Sequence, residues 1–260
     1  MTTDTWNAAQ YNRFQREREQ PFMDLMQLVD VRPEMRVVDL GCGTGRLTRR
    51  LHEHLGARET LGIDRSRNML AENGSTESPA GLRFEVGTIE SFPASDDGFD
   101  LIFSNAALHW VPDHERLVAR LAGALVPSGQ LAFQVPASHE DPSHRVADEL
   151  IEEEPYRTAA DGWRRPNHVL PPEAYSRIFH ALGFRDPKVR LIVYPHVLAG
   201  PESVLDWMTG TLLTEYARHL PPETFESFVR DYWTRLSPRL ESSRPFFFPF
   251  KRILCWGQRA

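Results

Sequence analysis

One short glycine-rich stretch constrains the fold of this 260-residue chain more than any other part of the sequence. Residues 37–40 (Val-Val-Asp-Leu) are typical of the end of a buried strand, and Gly41, Gly43 and Gly45 follow directly. Apolar residues then recur at helical spacing within residues 46–51. Glycine permits both a sharp turn and the close approach of a ligand to the backbone. A strand, a glycine turn and a helix in this order therefore predict the nucleotide-binding corner of an open α/β sheet.

The spacing of the glycines distinguishes between possible ligands of this corner. A dinucleotide fingerprint, Gly-x-Gly-x-x-Gly, would place its third glycine at the position of Arg46. Asp64 ends the next apolar run, about 20 residues downstream, where a carboxylate can accept hydrogen bonds from both ribose hydroxyls. Asp39, just before the first glycine, could contact an ammonium group or fix the loop. The pattern disfavours a nicotinamide-dependent oxidoreductase, although a single glycine cluster could also be an ordinary tight turn.

Composition and charge exclude several broad classes of protein. The formal net charge is −6, whereas general nucleic-acid binding needs a basic face. Cys42 and Cys255 predict no disulfide framework, and neither has a Cys or His at metal-ligand spacing. No apolar stretch approaches the roughly 18 residues of a membrane span, and no signal peptide is visible. We therefore expect a cytoplasmic monomer or homodimer that binds small molecules, with no metal and no nucleic-acid or membrane partner.

Strand-like and helix-like segments alternate through the rest of the chain, as in a sheet flanked by helices. We predict an N-terminal helical lid in residues 1–30, in which a new helix begins at Pro21. A ligand-binding core follows in residues 31–135, and cap helices with the last strands follow in residues 136–260. Apolar runs place further strands at about 59–63, 82–86, 99–105, 130–135 and 188–194, a helical insertion at 200–240, and a last strand after the aromatic residues 246–250.

The acidic residue before the glycines, the glycines themselves and the acid on the next strand resemble the class I S-adenosylmethionine-dependent methyltransferases. Further segments, spread over nearly the full length, resemble one branch of that class, the trans-aconitate 2-methyltransferases. The glycine motif is specific only to the class, and the block 104–114 and the two C-terminal segments point to the branch. The matching segments are Trp6-Asn7 with Tyr11 and Phe14, and residues 38–43, 62–64, 104–114, 142–144, 204–210 and 248–252.

The resemblance implies a Rossmann-like fold, with a seven-stranded, mostly parallel sheet, and S-adenosylmethionine as cofactor, leaving S-adenosylhomocysteine as product. Thr88 stands where related enzymes often carry an Asp that accepts from the adenine amino group. The threonine oxygen can still accept one hydrogen bond, and the N–H of Ile89 can reach a ring nitrogen. The expected cofactor-binding residues are Tyr11, Arg18, Asp39, Gly41, Gly43, Gly45, Asp64, Arg65, Thr88, Ile89, Asn105 and His109.

The resemblance further implies methyl transfer to a carboxylate oxygen of trans-aconitate or a similar polycarboxylate, giving a methyl ester. A carboxylate is already a nucleophile at neutral pH, so we expect a positioning mechanism without a catalytic side chain. Ala137-Ser138 stands where family members usually carry Asp-Asn or Gly-Asn, which removes an Asn that faces the substrate. The residues expected to hold the other carboxylates of the acceptor are His144, Arg165, Lys251 and Arg252.

Two alternatives stay open at this point. The first is an O- or N-methyltransferase for another small metabolite, in which His109 or His139 would act as a base. The second is a non-catalytic protein that binds S-adenosylmethionine. The intact set of glycines with Asp64 disfavours the second alternative, because a degenerate partner protein has no reason to keep a working cofactor corner.

Overall fold

The computed structural model of the chain describes residues 15–71, 78–92 and 98–260, with side chains described from residue 19 onward. The predicted lid residue Tyr11 and the side chain of Arg18 lie outside this range. In the described part of the chain, no helix combines the length and the apolar character needed to cross a membrane.

A seven-stranded sheet with the strand order β3-β2-β1-β4-β5-β7-β6 organises the fold. The first five strands pair in parallel, and β7 pairs antiparallel with β5. This arrangement confirms the predicted Rossmann-like class. The strands are β1 (Arg36–Leu40), β2 (Glu59–Asp64), β3 (Leu82–Val86), β4 (Phe99–Asn105), β5 (Leu125–Pro136), β6 (Phe184–Leu198) and β7 (Phe246–Arg259).

The chain divides into two compact units. The core unit comprises Gln15–Pro136, His168–Ile192 and Arg252–Ala260, and the helical unit includes Ala137–Asn167 and Val193–Lys251. Helices α1 (Gln15–Met26), α2 (Arg46–Leu55), α3 (Arg67–Ala71), α4 (His114–Gly123) and α7 (Pro172–Ala181) belong to the core unit. Helices α5 (Pro142–Leu150), α6 (Tyr156–Ala159), α8 (Glu202–Thr209), α9 (Leu213–His219) and α10 (Pro222–Leu236) belong to the helical unit.

Residues 15–30 belong to the core unit, which corrects their predicted place in a lid. Phe22 and Leu25 are buried, and the Phe22 ring lies 5.0 Å from that of Phe103 on β4. Pro21 lies inside α1 and does not begin a helix. The apolar packing of this helix offsets the single backbone hydrogen bond that a proline removes.

The later part of the chain returns to the core unit twice, with His168–Ile192 and with Arg252–Ala260. Helix α7 belongs there because Tyr175 and Phe179 are fully buried, with ring centroids 5.3 and 6.1 Å from that of Phe133. Strands β5 and β6 are longer than predicted. Within β5, Ser128 adopts a positive φ of 61°.

Candidate functional site

The glycine turn between β1 and α2 requires glycine for two separate reasons. Gly41, Gly43 and Gly45 have φ angles of 79°, 59° and 74°, a left-handed conformation that side chains disfavour. A Cβ on Gly41 would also lie 2.1 Å from the Cβ of Ala107, closer than any real contact. Gly45 ends the turn as the residue that precedes α2. The three glycines therefore keep their part of the backbone without side chains, while Cys42 and Thr44 lie between them, and this favours the close approach of a ligand.

Asp64 holds the glycine turn against β2, a role that the sequence did not indicate. One carboxylate oxygen, Oδ2, accepts a hydrogen bond from the N–H of Gly43 at 2.8 Å. The other, Oδ1, accepts one from the N–H of Ser66 at 2.8 Å. Each carboxylate oxygen can accept more than one hydrogen bond, so this anchoring is compatible with binding a ribose as well.

Asp39 is buried at the end of β1, where it ties the strand to α2. Its Oδ2 accepts a hydrogen bond from the Thr48 hydroxyl at 2.6 Å. Burial raises the pKa of Asp39 to about 7, because a low-dielectric surrounding disfavours the carboxylate. The Thr48 hydrogen bond opposes this rise in pKa, and the charge of Asp64 adds to it. Of the two roles proposed for Asp39 from the sequence, the contact with Thr48 supports fixing the loop.

Asn105 ends β4 at the same edge of the sheet and carries a buried acceptor. Its Oδ1 atom has no hydrogen-bond partner among the residues that the structure describes. Ala106, the next residue, has a positive φ of 53°, and its N–H donates to the Gln134 carbonyl at 2.9 Å. Buried polar atoms are normally paired, so an acceptor left open at the carboxyl end of a parallel strand indicates a ligand donor there.

His114 was missed by the sequence analysis and holds the segment that follows Asn105. This buried residue opens α4, and its Nε2 donates to the Leu108 carbonyl at 3.0 Å. Its Nδ1 then accepts from the Tyr175 hydroxyl at 2.5 Å. Burial lowers the pKa of His114, in keeping with a neutral ring that donates once and accepts once. The 3₁₀ turn Leu108–Trp110, which carries His109, is thereby fixed from behind.

The loop after β3 carries Thr88 and Ile89, the residues expected to contact adenine. Thr88 already has a hydrogen-bond partner within this loop. Its hydroxyl oxygen accepts from the N–H of Ser91 at 3.1 Å and lies 2.8 Å from the Ser91 hydroxyl. Arg120 of α4 donates to the Ile89 carbonyl at 2.7 Å and fixes the loop. Arg65, on the turn after β2, is exposed.

A polar cluster in the helical unit brings together two of the residues expected to bind the acceptor. Arg165 donates from Nε and Nη2 to the two carboxylate oxygens of Asp148, at 2.9 and 2.6 Å. The charge of Arg165 also lowers the pKa of His139 and His144, after burial as the larger cause. The pKa of His144 falls to about 3, so this ring is neutral at physiological pH. We call Arg165, Asp148, Tyr216, His139 and His144 the Arg165 cluster.

Lys251 and Arg252, adjacent on β7, have different surroundings. Lys251 belongs to the helical unit, and its Nζ lies 3.4 Å from Asp141, the residue before α5. Its backbone N–H donates to the hydroxyl of Ser138 at 3.2 Å, which gives that buried serine a structural role. Arg252 belongs to the core unit, is buried, and donates to the Gln134 side chain at 2.9 Å.

The residues of the glycine corner fit an adenosylated cofactor. Three glycines of the turn have no side chain, Asp64 can accept hydrogen bonds, and Asn105 offers a buried oxygen that no described residue uses. The described residues contain no group of three or more His, Cys, Asp and Glu side chains arranged to hold a metal ion.

Comparisons with known proteins agree with the interpretation of the glycine corner as a cofactor site. A model described as a methyltransferase domain matches residues 38–133. In solved structures, the YcgJ protein of Bacillus subtilis superposes with a TM-score of 0.60 at 21% identity, covering 93% of this chain and 98% of that one. Phosphoethanolamine N-methyltransferase 2 of Haemonchus contortus, in complex with S-adenosyl-L-methionine, gives a TM-score of 0.54 at 17% identity, covering 93% and 52%. At these identities the likeness shows the fold alone.

Curated relatives are much more similar in sequence. A trans-aconitate 2-methyltransferase of Deinococcus radiodurans is 40% identical over 256 residues, covering 96% of both chains. The protein of that name from Streptomyces avermitilis is 36% identical, covering 96% of this chain and 95% of its own. Because this similarity spans both units, the chain belongs to the trans-aconitate 2-methyltransferase family of S-adenosylmethionine-dependent methyltransferases.

Proposed function

We propose that this enzyme transfers a methyl group from S-adenosylmethionine to a carboxylate oxygen of trans-aconitate or a similar polycarboxylate, giving a methyl ester. One observation carries the proposal. The methyltransferase domain match ends at residue 133, whereas the similarity to the named relatives covers 96% of the chain. Methyltransferases with unrelated acceptors share the cofactor domain, so similarity in the helical unit bears on the acceptor.

In this proposal, the residues of the glycine corner bind and orient the cofactor, which supplies an electrophilic methyl group when bound. Gly41, Gly43 and Gly45 let the backbone approach it closely. Asp64 accepts from the ribose hydroxyls while it anchors the turn, and Asn105 uses its buried oxygen to accept a hydrogen bond. We assign supporting contacts to the remaining residues expected from the sequence, Tyr11, Arg18, Asp39, Arg65, Thr88, Ile89 and His109.

The acceptor, in turn, is held by side chains of the helical unit. Arg165 and Lys251 supply N–H donors whose charges are paired with Asp148 and Asp141, and the neutral ring of His144 supplies a hydrogen bond. Lys251 is the most accessible of these cations, with 41% of its side chain exposed. We assign Arg252 a supporting role, because its guanidinium already donates to Gln134 inside the core unit.

No general base is needed for this reaction, since a carboxylate is ionised at neutral pH. The side chains have to position the acceptor and exclude water, and attack on a cationic methyl donor removes two opposite charges. Holding both reactants in line can contribute about 7–11 kcal/mol to catalysis. The lowered pKa of His139 and of His144 keeps both rings neutral, so each ring has one N–H to donate.

The test is incubation with labelled S-adenosylmethionine and a panel of small mono-, di- and tricarboxylates, analysed by mass spectrometry. We expect one added methyl group on a polycarboxylate and release of the label by mild alkali, because the product is an ester. If no carboxylate is methylated while S-adenosylhomocysteine still binds, the acceptor assignment is wrong. The cytoplasmic location and the monomeric or homodimeric state stay predictions.

A further inference from the structure

Arg165 does not present a free positive charge, because Asp148 engages one edge of its guanidinium. The two-point contact uses Nε and Nη2, at 2.9 and 2.6 Å from the two carboxylate oxygens. Tyr216, fully buried on α9, donates its hydroxyl to Oδ1 of Asp148 at 2.5 Å. Three hydrogen bonds thus hold Asp148 in place, and Nη1 of Arg165 takes part in none of them.

The Arg165–Asp148 pair is partly buried, unlike an ion pair between exposed side chains. The side chain of Arg165 is only 13% exposed and that of Asp148 is 37% exposed. Charge interactions are screened less at partly buried positions than at exposed ones. Removing either charge should therefore change the electrostatic attraction of a charged ligand nearby.

The groups around this pair add donors without adding net charge. His139 and His144 have a lowered pKa and are neutral at physiological pH. The neighbouring cations have carboxylate partners of their own, with Lys251 at 3.4 Å from Asp141 and Arg145 paired with Glu140. An acceptor with many carboxylates gains hydrogen bonds here but little electrostatic attraction.

We propose that Asp148 is a specificity-determining residue: by cancelling the charge of Arg165 while fixing its orientation, it favours acceptors with fewer carboxylates. The Nη1 edge of Arg165 then serves one acceptor carboxylate. This inference rests on the proposed carboxylate methylation and names the acceptor class within it. A purely structural ion pair would instead affect all acceptors alike.

The test compares two acceptors that differ by one carboxylate, trans-aconitate and trans-glutaconate. The measured quantity is the ratio of kcat/KM for the tricarboxylate to that for the dicarboxylate, at low and constant ionic strength. Asp148→Asn keeps the shape and an acceptor oxygen but leaves the pair with a net positive charge. We expect the ratio to rise about tenfold, equivalent to about 1.4 kcal/mol.

Substitution of the partner residue Arg165, and of both residues together, completes a double-mutant cycle. Arg165→Gln leaves the charge of Asp148 and should lower the ratio about tenfold, equivalent to about 1.4 kcal/mol. The double variant is neutral again, so its ratio should return to that of the wild type. If Asp148→Asn does not fold, Arg165→Gln and the double variant still decide the matter. Single variants that leave the ratio unchanged, or a double variant that does not restore it, overturn the proposal.

Glu202→Gln is the matched control. Glu202 pairs with Arg244 in the same two-point manner, at 2.6 and 2.8 Å, but both side chains are largely exposed. It carries the same change of charge in the same unit and should leave the ratio unaltered. An equal effect in this variant would assign the preference to overall charge and refute a role for Asp148. A wild type that methylates neither acceptor refutes the proposed function itself.

Discussion

Asp39→Asn tests the electrostatic description of the glycine corner most directly. Asp39 is buried at the end of β1, and its pKa is raised from 3.8 to about 7, chiefly by desolvation. A carboxyl group whose pKa is raised on folding stabilises the folded state below its unfolded pKa. That stability is lost as the pH rises through the folded pKa. The wild type therefore loses stability between about pH 4 and pH 7 through this one group.

The magnitude follows from the two pKa values. A pKa of about 7 in place of 3.8 corresponds to about 4 kcal/mol. Asparagine is neutral at every pH and can still accept the hydrogen bond from Thr48. The free energy of unfolding of Asp39→Asn should thus exceed that of the wild type at pH 8. The difference in the free energy of unfolding between the two proteins should increase by about 3 kcal/mol from pH 5 to pH 8.

The assay is urea unfolding of the ligand-free protein at pH 5 and pH 8, followed by tryptophan fluorescence. The control is Glu53→Gln, an exposed substitution on α2 that should change stability by no more than about 0.5 kcal/mol at either pH. The raised pKa of Asp39 is refuted if Asp39→Asn is less stable than the wild type at pH 8. It is also refuted if the difference in the free energy of unfolding between the two proteins does not depend on pH.

The other predictions concern binding. Gly41→Ala should abolish measurable S-adenosylhomocysteine binding by calorimetry, because its Cβ would lie 2.1 Å from that of Ala107. Gly43→Ala, with a positive φ as well but one ordinary contact at 3.4 Å, should weaken binding less. Asp64→Ala should cost about 1.5–3 kcal/mol of affinity, and an unchanged dissociation constant would remove Asp64 from the site. Lys251→Ala should raise KM for a polycarboxylate more than for S-adenosylmethionine, and equal effects would argue against acceptor contact.

The cofactor corner could be predicted from the sequence because its physics is local. A glycine turn needs particular residues within a short stretch, and Asp64 follows at the spacing that two parallel strands impose. The structure confirms the strand, turn and helix at this place. It adds the hydrogen bond from Gly43 to Asp64, since spacing cannot reveal which backbone groups a carboxylate accepts.

Side-chain contacts between residues far apart in the chain could not be predicted from the sequence. Arg165 was expected to be available to an anion, but Asp148 lies 17 residues earlier and Tyr216 lies on another helix. Likewise, nothing near His114 in sequence indicates its bond to Tyr175, 61 residues away. The boundary at residue 30 was wrong for a related reason, because an amphipathic helix can cover a sheet or a ligand with the same pattern of apolar residues.

The position of β7 has a consequence for how the chain acquires its fold. β7 is the latest strand in the sequence, yet it lies between β5 and β6 in the sheet. During synthesis, the edge of β5 has no neighbour on that side until more than a hundred further residues have been made. Contacts between segments so distant in sequence form slowly, and an unpaired strand edge is prone to aggregation in the meantime. Completion of the sheet is thereby a late step in folding.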